Sequence, residues 1–125
     1  LLKLYPGINP DILDMFYEKG YKGIFIEGFG LGGMPFINND FIGRVGEMVE
    51  KGMLVLVGSQ CRYEGSNLMV YETGRLAIEK GVIQAYDMTA EAAITKLMWV
   101  LGQTDDIREM KEYFSVNIAG EVNIG

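Results

Sequence analysis

The sequence predicts a three-layer α/β sandwich built on a four-stranded parallel sheet. Short apolar runs without strict alternation are typical of strands that are buried on both faces of such a sheet. Segments with helical apolar spacing separate these runs, and a glycine follows most of the helical segments. The predicted strands are residues 1–5, 23–26, 53–57 and 82–85. Strands that alternate with helices form parallel βαβ units with right-handed crossovers, as in Rossmann-like and flavodoxin-like folds.

The first helix is predicted to begin at Asn9, whose side chain can cap it. Pro10 suits the first helical position, and the charge of Asp11 is favourable at the positive end of the helix dipole. Gly20 ends the helix. The predicted buried stripe is Ile12, Met15 and Phe16.

The second helix is predicted to begin at Asp40 and to stop at Gly52, and a short third helix covers residues 73–80 before Gly81. Apolar residues of the second helix repeat at helical spacing, so they mark its core-facing side. They are Phe41, Ile42, Val45, Met48 and Val49.

A long fourth helix is predicted to be capped by Thr89 and to end near Gly102. Trp99 and Val100 make its second side apolar too, which indicates burial against a neighbour as well as the sheet. The residues expected to face inward are Ala93, Ile94, Leu97, Met98 and Leu101. Thr104 and the acidic pair Asp105-Asp106 are predicted to start a last helix, and residues 116–125 form a tail without periodicity.

The amino-acid composition limits which functions are possible. The chain of 125 residues is large enough for one domain, covering residues 1–125, with a single core. The net charge of −6, with no cluster of Lys or Arg, argues against direct binding of nucleic acid. No apolar run is long enough to cross a membrane. The single Cys61 fits a reducing compartment. Because the chain begins at Leu1 without an initiator Met, we expect it to be a piece of a longer protein.

The glycine-rich loop after the second strand is the first place to look for function. Residues 28–33 satisfy G-x-G-x-x-G, the dinucleotide-binding pattern. Pro35 would fall early in the helix that must follow, and the next strand ends in Gly58-Ser59-Gln60 instead of an acidic residue. A glycine-rich turn is therefore the favoured interpretation over a nucleotide site.

Candidate contact residues follow the second and third strands, whose carboxyl ends share one edge of a parallel sheet. They are Glu27, Phe29, Gly30, Leu31, Ser59, Gln60 and Cys61. A carboxylate at Glu27 can bind an amine, act as a base, or pair with a nearby Lys or Arg. Ser59 and Cys61 have no His anywhere in the chain to act as a base, so a contact role is favoured over a nucleophilic one. No catalytic set and no metal-ligand spacing is present.

Several segments, in order and at fitting spacing, resemble the C-terminal domain of type I (cytoplasmic) L-asparaginases. The resemblance covers almost the whole chain and is carried by Lys3–Gly7, Gly20–Gly32, Ser59–Cys61, Tyr71–Arg75, Asp87–Ala92, Lys96–Gly102 and Asn117–Glu121. It implies hydrolysis of L-asparagine to L-aspartate and ammonia without metal or cofactor. It further implies that the catalytic residues belong to an N-terminal domain that is the partner of this one, and that the protein is a homo-oligomer, a dimer or tetramer, of the cytoplasm.

The chain departs from the family pattern at two positions. Leu31 stands where secreted relatives place an Asn that helps to bind substrate. Some bacterial type I members bind regulatory asparagine through an Arg and a Cys; Cys61 matches that Cys, but Glu27 replaces the Arg. Two alternatives stay open. The related subunit of the archaeal amidotransferase that converts glutamyl-tRNA(Gln) shares the segments at Ser59 and Lys96, although its glycine loop tends to end in His. The other alternative is a stand-alone, non-catalytic α/β binding module.

Overall fold

The computed structural model describes residues 1–29, 34, 40–60 and 72–124. Four parallel strands form one sheet in the order β1-β2-β3-β4, so neighbours in the sheet are also consecutive along the chain. The strands are β1 Leu2–Lys3, β2 Gly23–Gly28, β3 Leu54–Ser59 and β4 Ile83–Gln84. The predicted four-stranded parallel sheet is confirmed.

Helices cover both faces of the sheet, which completes the predicted sandwich. They are α1 Asp11–Glu18, α2 Phe41–Glu50, α3 Glu72–Glu79, α4 Ala90–Gln103 and α5 Ile107–Phe114. The crossover helices α1, α2 and α3 pack together on one face, and α4 and α5 cover the opposite face. Among the described helices, none combines the length and the apolar character that a membrane span requires.

The central strands β2 and β3 carry large apolar side chains on both faces. Ile24 and Ile26 belong to the core under α1 to α3, whereas Phe25 between them belongs to the core under α4 and α5. The residues of β3 alternate in the same way, with Val55 facing the first core and Leu56 the second. Burying each such side chain stabilises the fold by roughly 1.5–3 kcal/mol. Both helical layers are therefore needed to exclude water from the two faces of the sheet.

The three crossover helices end in the same way, at the Lys-Gly pairs that begin at Lys19, Lys51 and Lys80. At Gly20 the backbone φ is +86°, its amide donates to the carbonyl of Tyr17 at 3.0 Å, and the next amide bonds one residue further back at 3.1 Å. This is the Schellman motif, which satisfies the last carbonyls of a helix and needs a left-handed residue. It recurs at Gly52 and Gly81, where φ is +93°.

The predicted starts of α2 and α4 are confirmed, and the starts of α1 and α3 each shift by a residue. The side chains of Asp40 and Thr89 each accept a hydrogen bond from an amide three residues on, at 2.9 and 3.1 Å. The N-terminal cap position of α1 is Pro10 instead of Asn9. Asn9 still accepts a hydrogen bond from the amide of Asp11 at 3.0 Å, so its side chain closes the turn just before the helix.

The prediction for the buried side of α1 was partly wrong. Leu13 is fully buried, whereas the side chain of Met15 is 46% exposed. The inward face of α1 is formed by Leu13, with Ile12 and Phe16 packed against the same core, and Met15 lies outside it. Arg44 of α2 forms ion pairs with both Asp11 and Asp14.

The inward face of α4 also differs from the prediction at one position. Met98 is 68% exposed, while Lys96 is buried because its ammonium group has a carboxylate partner inside the protein. Trp99 is half-exposed and packs edge-on against Tyr113 of α5, with ring centroids 5.2 Å apart. The second apolar side of α4 is therefore covered only in part by the described residues.

We expect Gly58→Ala to destabilise the protein. A Cβ atom at Gly58 would lie 2.7 Å from Cζ of Phe25, inside a core that has no free space to receive it. Overpacking of this kind costs roughly 1–3 kcal/mol of unfolding free energy, measured by urea denaturation. Gly102→Ala is the matched control, because a Cβ there meets nothing within 4 Å and the helix gains about 0.5–1 kcal/mol. Equal effects of the two substitutions would contradict this account.

Candidate functional site

The candidate residues that the structure describes lie together at the carboxyl edge of the sheet. Glu27 pairs in register with Gly58, and Gly28 pairs with Ser59, so the ends of β2 and β3 are level with each other. Phe29, which follows β2, is half-buried and packs against the core under α1 to α3. Gly30, Leu31 and Cys61 lie outside the described residues, as does most of the glycine pattern. Their roles remain predictions.

Gln60 fastens three strand ends to one another. Its side-chain amide donates to the carbonyl of Leu4 at 2.7 Å and to the carbonyl of Glu27 at 3.0 Å. Its backbone amide donates to the carbonyl of Gly28 at 3.2 Å, and the amide of Leu4 bonds the Glu27 carbonyl at 3.0 Å. Both hydrogens of the Gln60 amide group are thus used within the fold. In this structure Gln60 organises the edge.

Glu27 is half-buried at this edge. It forms no ion pair with any Lys or Arg in the described part of the chain, although Lys3 stands opposite in register on β1. The ion-pair interpretation is therefore not realised among these residues. Ser59, by contrast, already has an interaction partner within the fold, which suits a contact role better than that of a free nucleophile.

The order of the strands limits what this edge can do alone. In open α/β sheets, ligands bind in a crevice where the strand order reverses. The described sheet runs β1-β2-β3-β4 without a reversal, so its strands create no such crevice between them. Within residues 1–29, 34, 40–60 and 72–124, no three His, Cys, Asp or Glu side chains come together in a group that could hold a metal ion.

A second polar cluster joins α4 to residues 116–124, which we call the C-terminal strap. Nζ of Lys96 lies 2.6 Å from Oε1 of Glu121 and 2.6 Å from the carbonyl of Val116. The Glu121 carboxylate also accepts the amides of Ile118 and Ala119, at 3.1 and 2.7 Å. The hydrogen bond from Lys96 and these amides lower the pKa of Glu121 to about 2. Both charges are therefore compensated inside the fold.

The strap ends at the same edge as the candidate residues. Val122 is 1% exposed in the core, and the Asp87 carboxylate accepts bonds from the Asn123 backbone at 2.8 Å and from its side chain at 2.5 Å. These bonds lower the pKa of Asp87. Asp87 thus holds the strap in place. Beside it, Tyr86 adopts φ +52°, a conformation that costs a non-glycine residue about 1–2 kcal/mol.

Comparison with known proteins gives one consistent family. The model of the glutaminase/asparaginase C-terminal domain matches residues 1–114. The D subunit of glutamyl-tRNA(Gln) amidotransferase from Pyrococcus abyssi is 48% identical over 122 residues, which cover 98% of this chain and 27% of that protein. Its counterpart from Methanopyrus kandleri is 42% identical over 125 residues, again 27% of its length.

Solved structures agree in fold. The thermostable L-asparaginase of Thermococcus kodakarensis superposes with a TM-score of 0.92 at 40% identity, covering 99% of this chain and 37% of that one. L-asparaginase I of Vibrio cholerae gives a TM-score of 0.87 at 29% identity over 98% of this chain and 37% of that one. The chain therefore spans 27% of the length of the curated relatives it matches, and 37% of these two enzymes.

We expect Gln60→Glu to lower the unfolding free energy by about 2 kcal/mol, because it exchanges two donated hydrogen bonds for repulsion between oxygens. Urea denaturation measures the effect. Gln103→Glu is the control, since Gln103 is exposed and makes one long bond of 3.3 Å. A Gln60→Glu protein as stable as this control would refute the role of Gln60 in joining the strand ends.

Removal of the Glu121 charge should change the stability in acid. We expect Glu121→Gln to cost about 2 kcal/mol at neutral pH, because it leaves the Lys96 ammonium without its counter-charge. The folded pKa of Glu121, about 2, lies below the unfolded value of 4.5, so the unfolded chain binds more protons between these pH values. The stability from Glu121 is hence full above pH 4.5 and is lost as the pH falls toward 2.

Thermal unfolding between pH 2 and pH 7 tests this expectation. The wild-type and Glu121→Gln curves should converge as the pH falls, while the control Glu112→Gln, at an exposed position of α5, should follow the wild type throughout. Parallel curves for wild type and Glu121→Gln would show that Glu121 is not stabilised as a carboxylate.

Proposed function

This chain belongs to the glutaminase/asparaginase C-terminal domain family, and we propose that it works as part of an amidohydrolase that converts L-asparagine to L-aspartate and ammonia. The observation that carries the proposal is the superposition on the L-asparaginase of Thermococcus kodakarensis, with a TM-score of 0.92 over 99% of this chain. At 40% identity the likeness extends well beyond general topology.

Within that enzyme this domain supplies structure and contacts. We assign the nucleophile and its proton relay to an N-terminal domain, in line with the resemblance and with the absence of His from this chain. The carboxyl edge then serves as the surface that closes an active site, with Glu27, Phe29, Gly30, Leu31, Ser59, Gln60 and Cys61 as contact candidates. The half-buried Glu27 carboxylate, which lacks a cationic partner among the described residues, suits the ammonium group of an amino acid.

We further propose that the protein is a cytoplasmic homo-oligomer that needs no metal or cofactor. Met98, 68% exposed, and Trp99, 42% exposed, leave an apolar area on the outer side of α4 that another protein surface can cover. An intimate dimer, as the family resemblance implies, would place such faces against each other.

A second candidate function is favoured by the curated relatives. Identity of 48% over 98% of this chain links it to the D subunit of a glutamyl-tRNA(Gln) amidotransferase. In that case the ammonia released by the protein would be used by a partner protein to amidate glutamate on tRNA. The net charge of −6 argues that this domain would not itself bind the tRNA.

The test compares two purified proteins: the full-length protein encoded by the parent gene and the chain of residues 1–125 alone. We expect the full-length protein to release ammonia from L-asparagine in a coupled assay. We expect the short chain to release none, because we assign the nucleophile and its proton relay to the N-terminal domain. Ammonia release by the short chain would overturn the assignment of the nucleophile.

The same assay separates the two candidates. Ammonia release by the full-length homo-oligomer without any partner supports the asparaginase function. A rate that is negligible until a co-purified partner protein and glutamyl-tRNA(Gln) are added supports the amidotransferase function instead. A full-length protein that is inactive on asparagine and glutamine under all these conditions would refute both.

A further inference from the structure

Tyr86 occupies a position from which it can reach the proposed site. The amide of Ala85 donates to the carbonyl of Val57 at 2.8 Å, which extends the pairing of β3 with β4 by one residue. Tyr86 therefore follows directly after the last residue that bonds to β3, at the carboxyl edge where β3 ends in Ser59. Tyr86 is 37% exposed there.

The backbone of Tyr86 is strained. Its φ of +52° makes it the one non-glycine residue with a positive φ in the described part of the chain, whereas glycine fills the other five such positions. These glycines are Gly7, Gly20, Gly52, Gly81 and Gly120. Only a short side chain or none is well suited to this region. The backbone conformation of this aromatic residue is unfavourable, and backbone strain of this kind is typical of functional sites.

The surroundings of Tyr86 are built to hold this conformation. On one side Ala85 is fully buried, and its carbonyl accepts the amide of Met88 at 3.1 Å to close the turn. On the other side Asp87 is bound by Asn123 of the C-terminal strap. The strap is fixed in turn by the buried pair of Lys96 and Glu121. The strained residue is thus clamped on both flanks.

We propose that Tyr86 is a substrate-contact residue of the carboxyl edge and that the C-terminal strap positions it. Its ring forms one wall for the amino-acid amide that the proposed enzyme binds, beside Ser59 and Gln60. Asn123 and Glu121 are positioning residues, since they act on Tyr86 only through Asp87 and the strap. This inference rests on the proposed amidohydrolase function.

The test uses the full-length protein with four variants: Tyr86→Gly, Tyr86→Phe, Asn123→Ala and the control Tyr21→Gly. Tyr21 is exposed near the amino ends of the strands, at the opposite edge of the sheet. KM and kcat for L-asparagine are measured together with the Tm of each variant. We expect Tyr86→Gly to raise KM about tenfold with little change in kcat, because the ring is lost from the substrate site.

Tyr86→Phe keeps the ring and should stay within about twofold of the wild-type KM. Asn123→Ala should raise KM in the same direction as Tyr86→Gly, while Tyr21→Gly should lower the Tm and leave KM unchanged. A Tyr86→Gly enzyme with an unchanged KM would overturn the contact role. A wild-type KM in Asn123→Ala would overturn the role of the strap. Both results differ from failure of the proposed function, in which the wild-type protein itself releases no ammonia.

Discussion

The structure depends on the pairing of β2 with β3, two strands that carry apolar side chains on both faces. Such a pair cannot face water on either side, so the chain has to supply helices above and below it. Parallel pairing forces each connection to cross over, which places α1 to α3 on one face and leaves the other face for α4 and α5. The same geometry brings the carboxyl ends of all four strands to one edge of the sheet. The candidate site is a direct consequence of how this core is covered.

The second helical layer is completed by the C-terminal strap. Val122 fills part of the core under α4 and α5, and Glu121 neutralises a lysine that the helix would otherwise bury at high cost. The family model ends at residue 114, yet the Thermococcus structure superposes over 99% of this chain, so the strap belongs to the shared fold. Its far end reaches Asp87 at the carboxyl edge. The strap thereby links the packing of α4 and α5 to the geometry of the carboxyl edge.

Local signals predicted most of the fold because they act within a few residues. Gly20, Gly52 and Gly81 were predicted as helix ends from their positions in the local sequence. Each one adopts the left-handed conformation that such an end requires. Contacts between distant residues were not predictable in this way. Lys96 and Glu121 are 25 residues apart, and a lysine on a helix ordinarily lies in solvent, so the burial of Lys96 was not predicted. Tyr86 was missed for the opposite reason, because its residue type contradicts its backbone conformation.

The carboxyl edge has the properties of one half of a site. Gln60 donates both hydrogens of its side-chain amide to carbonyls of neighbouring strands, which makes the edge rigid. These hydrogens are used within the fold and not by a ligand. Glu27 remains half-buried with no cation beside it in the described residues, and the sequential strand order provides no crevice of its own. A carboxylate whose hydration is reduced is stabilised by hydrogen bonds or by a partner charge. Together these features support the proposal that a second surface approaches the edge and that the ligand lies between the two.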